Sequence, residues 1–244
     1  MRRRQFVSLL GGAALAPLTA LPVYADPPDG CGVPVARDDG WPVASVNEDK
    51  LIDRGALCRM ADRLAASSTA NVHAVLVARG GKLVFERYFR GSDEIYGRRV
   101  GNVTFDADTL NDMKSVSKSV ASLALGIAID RGLIGSVNEP IFSFFPELSD
   151  LRSPEKEGIQ TPRMDATSLF FYGYLWWLGR FLLNGREVHW AGALGRGGQS
   201  IRIVPELDLV VVVTAGYYQD YSPRAQQVQS GIFRDVLRGI SPPG

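Results

Sequence analysis

Apolar and polar positions change period several times along this 244-residue chain. Leu57, Met60, Ala61 and Leu64 recur at i, i+3, i+4 and i+7, which predicts a helix over residues 48–66. Two β-prone runs, 72–78 and 82–89, flank Gly80-Gly81 and predict a hairpin. From Val116 to Ile129 the run would be apolar nearly all round a helix. A stretch of that kind predicts a central helix over 115–131, buried all round and closed at Gly132 by a left-handed cap. The C-terminal third returns to strand-like runs, 175–183 and 187–191 around Asn184-Gly185, then 200–204 and 209–215 around residues 205–208. Val228, Ile232, Phe233 and Val236 restore helical spacing over 223–237. The order helix, hairpin, helix, four strands, helix predicts an α+β fold. Its sheet should be largely antiparallel, with the first and last helices on one face and the Ser115 helix on the other.

Composition narrows the class. With 45% hydrophobic and 22% charged residues, the chain can build a sizeable core and fits neither disorder nor coiled coil. The formal charge is +1, but residues 1–25 hold Arg2, Arg3 and Arg4 and no acid, leaving 24 basic against 26 acidic groups beyond them. That balance offers no electrostatic footprint for nucleic acid. The three arginines precede an uncharged run from Phe6 to Leu21, and Val23-Tyr24-Ala25 supplies small residues at the spacing of a cleavage site. Residues 1–25 therefore read as an export signal. The sequence Arg3-Arg4-Gln5-Phe6-Val7 resembles the twin-arginine type, and the apolar run is too short and interrupted for a permanent membrane span. The mature protein is expected to begin near Asp26 and to be periplasmic or secreted. Residues 26–44, rich in Pro, Gly and Asp, read as a linker, and 45–244 as the domain. Cys31 and Cys58 fit either a disulfide formed in an oxidising compartment or two unpaired thiols. His73 and His189 stand far apart, so no metal-ligand spacing is visible, and no cofactor motif is present.

Candidate chemistry lies where the central helix begins. Ser115-Val116-Ser117-Lys118 places a hydroxyl and an amine at i and i+3, on one helix face. The positive end of the helix dipole stabilises an oxyanion and disfavours a charged lysine, and burial of the helix is expected to add to that effect on Lys118. Ser153-Pro154-Glu155-Lys156 carries the same spacing in a charged stretch where nothing would perturb the lysine. The four residues alone fit a helix-start serine beside a solvated lysine.

The longer context is more specific. The run from Ser115 to Ile134, continuing to Phe144-Phe145-Pro146-Glu147, resembles the nucleophile helix of the class C β-lactamase-related serine hydrolases. Within that family, which includes penicillin-binding proteins and esterases, it is most similar to the 6-aminohexanoate-dimer hydrolases. A second block extends the resemblance: Tyr172-Gly173-Tyr174-Leu175-Trp176-Trp177-Leu178, Gly195-Arg196-Gly197-Gly198-Gln199 and residues 204–210. The resemblance implies a sheet flanked by helices, Ser115 as the acylated nucleophile and Lys118 as its proton acceptor. It implies an oxyanion hole made by the backbone N–H groups of Ser115 and Gly198, and a small-molecule amide or ester as substrate. Gly195-Arg196-Gly197 stands where the family has a Lys/His-Thr/Ser-Gly triplet, and glycine in place of its cation weakens any case for binding a β-lactam carboxylate.

One departure is large. The family's tyrosine motif belongs to a helical section between the two blocks, and that section is largely missing, since Lys118 and Gly195 are only 77 positions apart. Tyr172 and Tyr174 match the strand block instead, and fit aromatic packing beside Trp176 and Trp177. Two functions stay open: an exported serine hydrolase using acyl-enzyme chemistry at Ser115, or a catalytically impaired or inactive remnant serving as a pseudoenzyme or binding module.

Overall fold

The computed structural model describes residues 31–46, 48–151 and 170–240; the expected signal segment and Ser153 lie outside them. Helix α1 (Arg54–Ala66) is capped by Asp53, whose carboxylate accepts the Ala56 N–H at 3.1 Å. It starts at Arg54 rather than at 48 because turns precede it, with Glu48 N–H bonded to Ser45 O and Ile52 N–H to Asp49 O. Strands β1 (Val72–Arg79) and β2 (Lys82–Tyr88) form the expected hairpin, with Gly80 and Gly81 both at positive φ. A separate ribbon follows, β3 (Arg90–Ile95) and β4 (Arg98–Thr104), turning at Tyr96-Gly97. Sequence pattern misses it because most of its residues are charged, polar or glycine.

Helix α2 (Val116–Asp130) and the single turn α3 (Ile141–Phe144) come next, then a 3-10 stretch, Pro146–Leu151. The chain continues with β5 (Phe170–Gly173), β6 (Trp176–Leu183), β7 (Arg186–Gly195), β8 (Gln199–Val204), β9 (Leu209–Ala215) and α4 (Arg224–Arg238). The Asn184-Gly185 turn has both residues at positive φ, as its sequence predicts. Four residues of β5 lack the length to show a period, so the C-terminal part has five strands where four were expected.

Seven strands form one antiparallel sheet in the order β2-β1-β9-β8-β7-β6-β5. The pleat sorts its residues. Arg202 of β8 turns toward α4, donating to Gln229 O and Ser230 Oγ at 3.1 Å each. Its neighbours Ile201 and Ile203 therefore face the other way, with Ala193 of β7, which pairs with Ile201. On the Arg202 face, Leu57, Met60 and Ala61 of α1 and Ile232, Phe233, Val236 and Leu237 of α4 close a core over Val75, Val77, Val211 and Val213. Arg63 and Asp235 join the two helices at 2.7 Å. A disulfide between Cys31 and Cys58, Cα atoms 5.3 Å apart, fastens residues 31–46 to α1. That segment then runs alongside β2, with Leu83 N–H bonded to Pro42 O and Ala44 N–H to Leu83 O.

Helix α2 lies on the opposite face, against β7 and β8, as expected. The expectation that it is buried all round is corrected. Only Val116 and Ser119 of α2 are buried, while Val120, Leu123, Leu125 and Ile127 are exposed. Its first turns meet the sheet and the β5–β6 turn, where Ser119 Oγ donates to Leu175 O and Ser122 Oγ to Tyr174 O, both at 2.6 Å. Beyond them the described residues offer the helix little cover. An apolar run shows what a helix is built to bury, and does not guarantee that the chain supplies the covering surface. Among the described residues, no helix is long and apolar enough to cross a membrane.

Candidate active site

Ser115 sits at the N-terminal end of α2, and Lys118 Nζ approaches its Oγ at 3.0 Å. The i, i+3 geometry anticipated from the sequence is thus realised, with the two groups in direct hydrogen-bond contact. Ser115 is half-buried, whereas Lys118 is exposed. The expected burial of Lys118 is thus not realised, and the pair stands at the helix N-terminus.

The opposite wall is the end of β7. A Cβ on Gly195 would stand 2.6 Å from Met113 O and 3.3 Å from Ser115 N, so only glycine lets β7 approach the serine turn so closely. Gly197 and Gly198 complete the β7–β8 turn at φ +89° and +95°. A side chain on Gly197 would strike the Tyr218 ring at 2.6 Å, and one on Gly198 would meet Ala215 Cβ at 3.0 Å. The glycine run is therefore a tight turn pressed between the serine loop and the start of the β9–α4 connection. Gln199 fixes it from behind, its amide exchanging hydrogen bonds with the backbone of Ala215.

The approach to Ser115 holds residues that motif reading passed over. Lys114 has φ +49°, a left-handed conformation uncommon for a side chain with a Cβ. Its Nζ lies 2.7 Å from Asp112 Oδ2, 3.9 Å from Glu94 Oε1 and 4.7 Å from the centre of the Tyr218 ring. Glu94 is buried and receives Gln219 Nε2 at 2.6 Å. Burial works to raise the Asp112 carboxyl pKa, but the side-chain and backbone bonds from Lys114 outweigh it and hold it below the ordinary value. Tyr218 is buried, and its phenol is pushed well above its usual range by burial first and then by the facing Asp93 carboxylate. Upstream, Asn111 Oδ1 meets His73 Nδ1 at 2.9 Å, anchoring the loop on β1. The Asp-x-Lys-Ser order of residues 112–115 was the available signal, legible only once the left-handed turn at Lys114 is known.

Tyr172 and Tyr174 stay with the strand block. The Tyr172 ring packs on Trp177 at 4.7 Å, and Tyr174 is exposed at the β5–β6 turn, its carbonyl on Ser122. Among the described residues no tyrosine hydroxyl is hydrogen-bonded to Ser115 or Lys118.

Residues 59–161 match the family model described as Beta-lactamase, a stretch that contains Ser115 and Lys118. A search of curated proteins finds no match. Among solved structures, one described as "Putative 6-aminohexanoate-dimer hydrolase from Bacillus anthracis" superposes with a TM-score of 0.51 at 12% identity, covering 83% of this chain and 87% of that one. At that identity the likeness is one of fold, an α+β architecture around a large antiparallel sheet. The family match across the serine helix, set in that fold, supports a β-lactamase-related serine hydrolase family for this chain.

Proposed function

We propose that this chain is an exported serine hydrolase that cleaves an ester or amide through an acyl-enzyme at Ser115. The carrying observation is the 3.0 Å contact between Lys118 Nζ and Ser115 Oγ at a helix N-terminus. In this reading neutral Lys118 takes the hydroxyl proton as Oγ attacks the carbonyl. The oxyanion is received by the backbone N–H groups of Ser115 and Gly198, and Lys118 returns the proton to the leaving group. Water then repeats the sequence in deacylation. An oxyanion donor of this kind is typically worth about 3 kcal/mol.

A specific observation sets the rate low. No tyrosine hydroxyl among the described residues bonds to the Ser115–Lys118 pair, and a proton-transfer group contributes on the order of 10²–10⁴-fold. Exposure of Lys118 adds a second deficit, because an open site loses positioning. The expected behaviour is slow turnover of small activated esters, such as p-nitrophenyl acetate, and none of unactivated amides or β-lactams. Ser115→Ala removes the ester turnover. Turnover that survives this change would overturn the reading, and a Ser115 that never acylates would leave the chain as a pseudoenzyme or binding module.

The reading places the work outside the cytoplasm, after cleavage near Ala25. The Arg2–Arg4 start, the apolar run after it and the Cys31–Cys58 disulfide support it, since disulfides persist in oxidising compartments. Mass analysis of exported protein should find Asp26 at the N-terminus; a retained residue 1–25 segment in the membrane fraction would contradict it.

A further inference from the structure

We infer that Lys114 is a positioning residue for Ser115, acting as an electrostatic clamp on the turn that presents the nucleophile; this rests on the serine-hydrolase reading above. Three separate parts of the chain converge on its side chain. Asp112 comes from the same loop, Glu94 from β3, and Tyr218 from the connection after β9. Each is fixed in turn. Asp112 Oδ1 also accepts the Lys114 backbone N–H at 3.1 Å, Glu94 is buried on Gln219, and the Tyr218 ring packs against Gly197 of the glycine turn. One ammonium thus ties the serine loop to β3 and to the turn carrying Gly198.

The backbone makes that tie consequential. At φ +49° Lys114 reverses the chain just before Ser115, so that Ser115 can open α2 while its N–H stays beside Gly195. Left to itself, a residue with a Cβ favours negative φ. The ion pairs oppose that preference, and they do so one residue from the reacting oxygen. Relaxation of the turn by about 1 Å would shift Oγ relative to both Lys118 and the oxyanion donors, and displacements of that size cost on the order of 10²-fold in rate. Lys114 does not touch the reacting atoms in this account. It holds the serine where Lys118 can reach it.

Four variants test the clamp: Lys114→Met removes the charge at similar length, Lys114→Arg keeps it, Lys114→Gly accepts the left-handed turn without a side chain, and Asp112→Asn weakens the partner. The readout is labelling by a fluorophosphonate probe, split into its limiting rate and its half-saturating concentration. Lys114→Met and Lys114→Gly should lower the limiting rate by about 10–100-fold with half-saturation nearly unchanged. Asp112→Asn should fall in between, and Lys114→Arg should recover most of the rate. A Lys114→Gly protein labelled at the parent rate would overturn the clamp, because the turn alone would then suffice. So would Lys114→Arg failing as badly as Lys114→Met while melting at the parent temperature. If the parent protein does not label at Ser115, the hydrolase reading fails, and amide exchange over residues 112–118 still decides the clamp. Faster exchange in Lys114→Met than in Lys114→Arg supports it, and equal exchange overturns it.

Discussion

The two faces of the sheet differ in how completely they are closed. On one, α1 and α4 cover the strands with Leu57, Phe233, Val236 and Leu237 and are joined by Arg63–Asp235, and the disulfide ties α1 to residue 31. On the other, among the described residues, α2 meets β7 and β8 and leaves Val120, Leu123, Leu125 and Ile127 exposed. The candidate site stands on the less covered face, where the start of α2 meets the end of β7. The difference teaches that stability and chemistry have separate supports here. The closed face supplies the burial that holds the fold, and a few polar contacts around Lys114, Ser119 and Gly195 place the serine.

Paired substitutions sharpen that contrast. Leu237 of α4 is 0% exposed and Leu123 of α2 is 55% exposed. Leu237→Ala should cost about 3–5 kcal/mol by denaturant titration, the range for leucine cavities in closed cores. The disulfide comes next. Its cysteines are 27 positions apart, and replacing both by serine should cost about 3 kcal/mol by releasing the unfolded chain from a closed loop. A loss of that size, with p-nitrophenyl acetate turnover unchanged, would keep the two supports separate.

A third expectation concerns pH. Burial lowers the His73 imidazole below its ordinary 6.5, more than its bonds to Asn111 and Ser92 O raise it. The folded state thus holds fewer protons than the unfolded one just below pH 6.5, so stability rises with pH through that window. The contribution is complete above the unfolded value and fades as pH falls below it. Melting temperature should be level between about pH 7 and 8 and decline below about 6.5. His73→Gln should flatten that decline. Last and smallest, Leu123→Gln should change stability by less than about 0.5 kcal/mol. A drop of several degrees in melting temperature would mean that α2 is covered in solution, and would break the comparison.

The sequence carried the closed face well. Alternation and turn residues located β1, β2 and β6 to β9, and helical spacing located α1 and α4, since each buries one regular stripe. It misjudged α2, where uniform apolarity is read as burial but only Val116 and Ser119 find cover. The β3–β4 ribbon has no apolar period to read. At the site, the Ser115–Lys118 contact was legible because i, i+3 spacing on a helix dictates it. The roles of Lys114, Glu94 and Tyr218 were not, because they depend on a left-handed residue and on partners 20 to 104 positions away. Gly195 was noted for the cation it lacks, whereas its structural importance is the approach of β7 to the serine turn.

The most direct test of the account is the intact mass of the purified protein after incubation with a fluorophosphonate. The account predicts one adduct per chain, mapped to Ser115, absent from Ser115→Ala and retained in Ser153→Ala. No adduct on the parent protein, or an adduct that persists in Ser115→Ala, would contradict it.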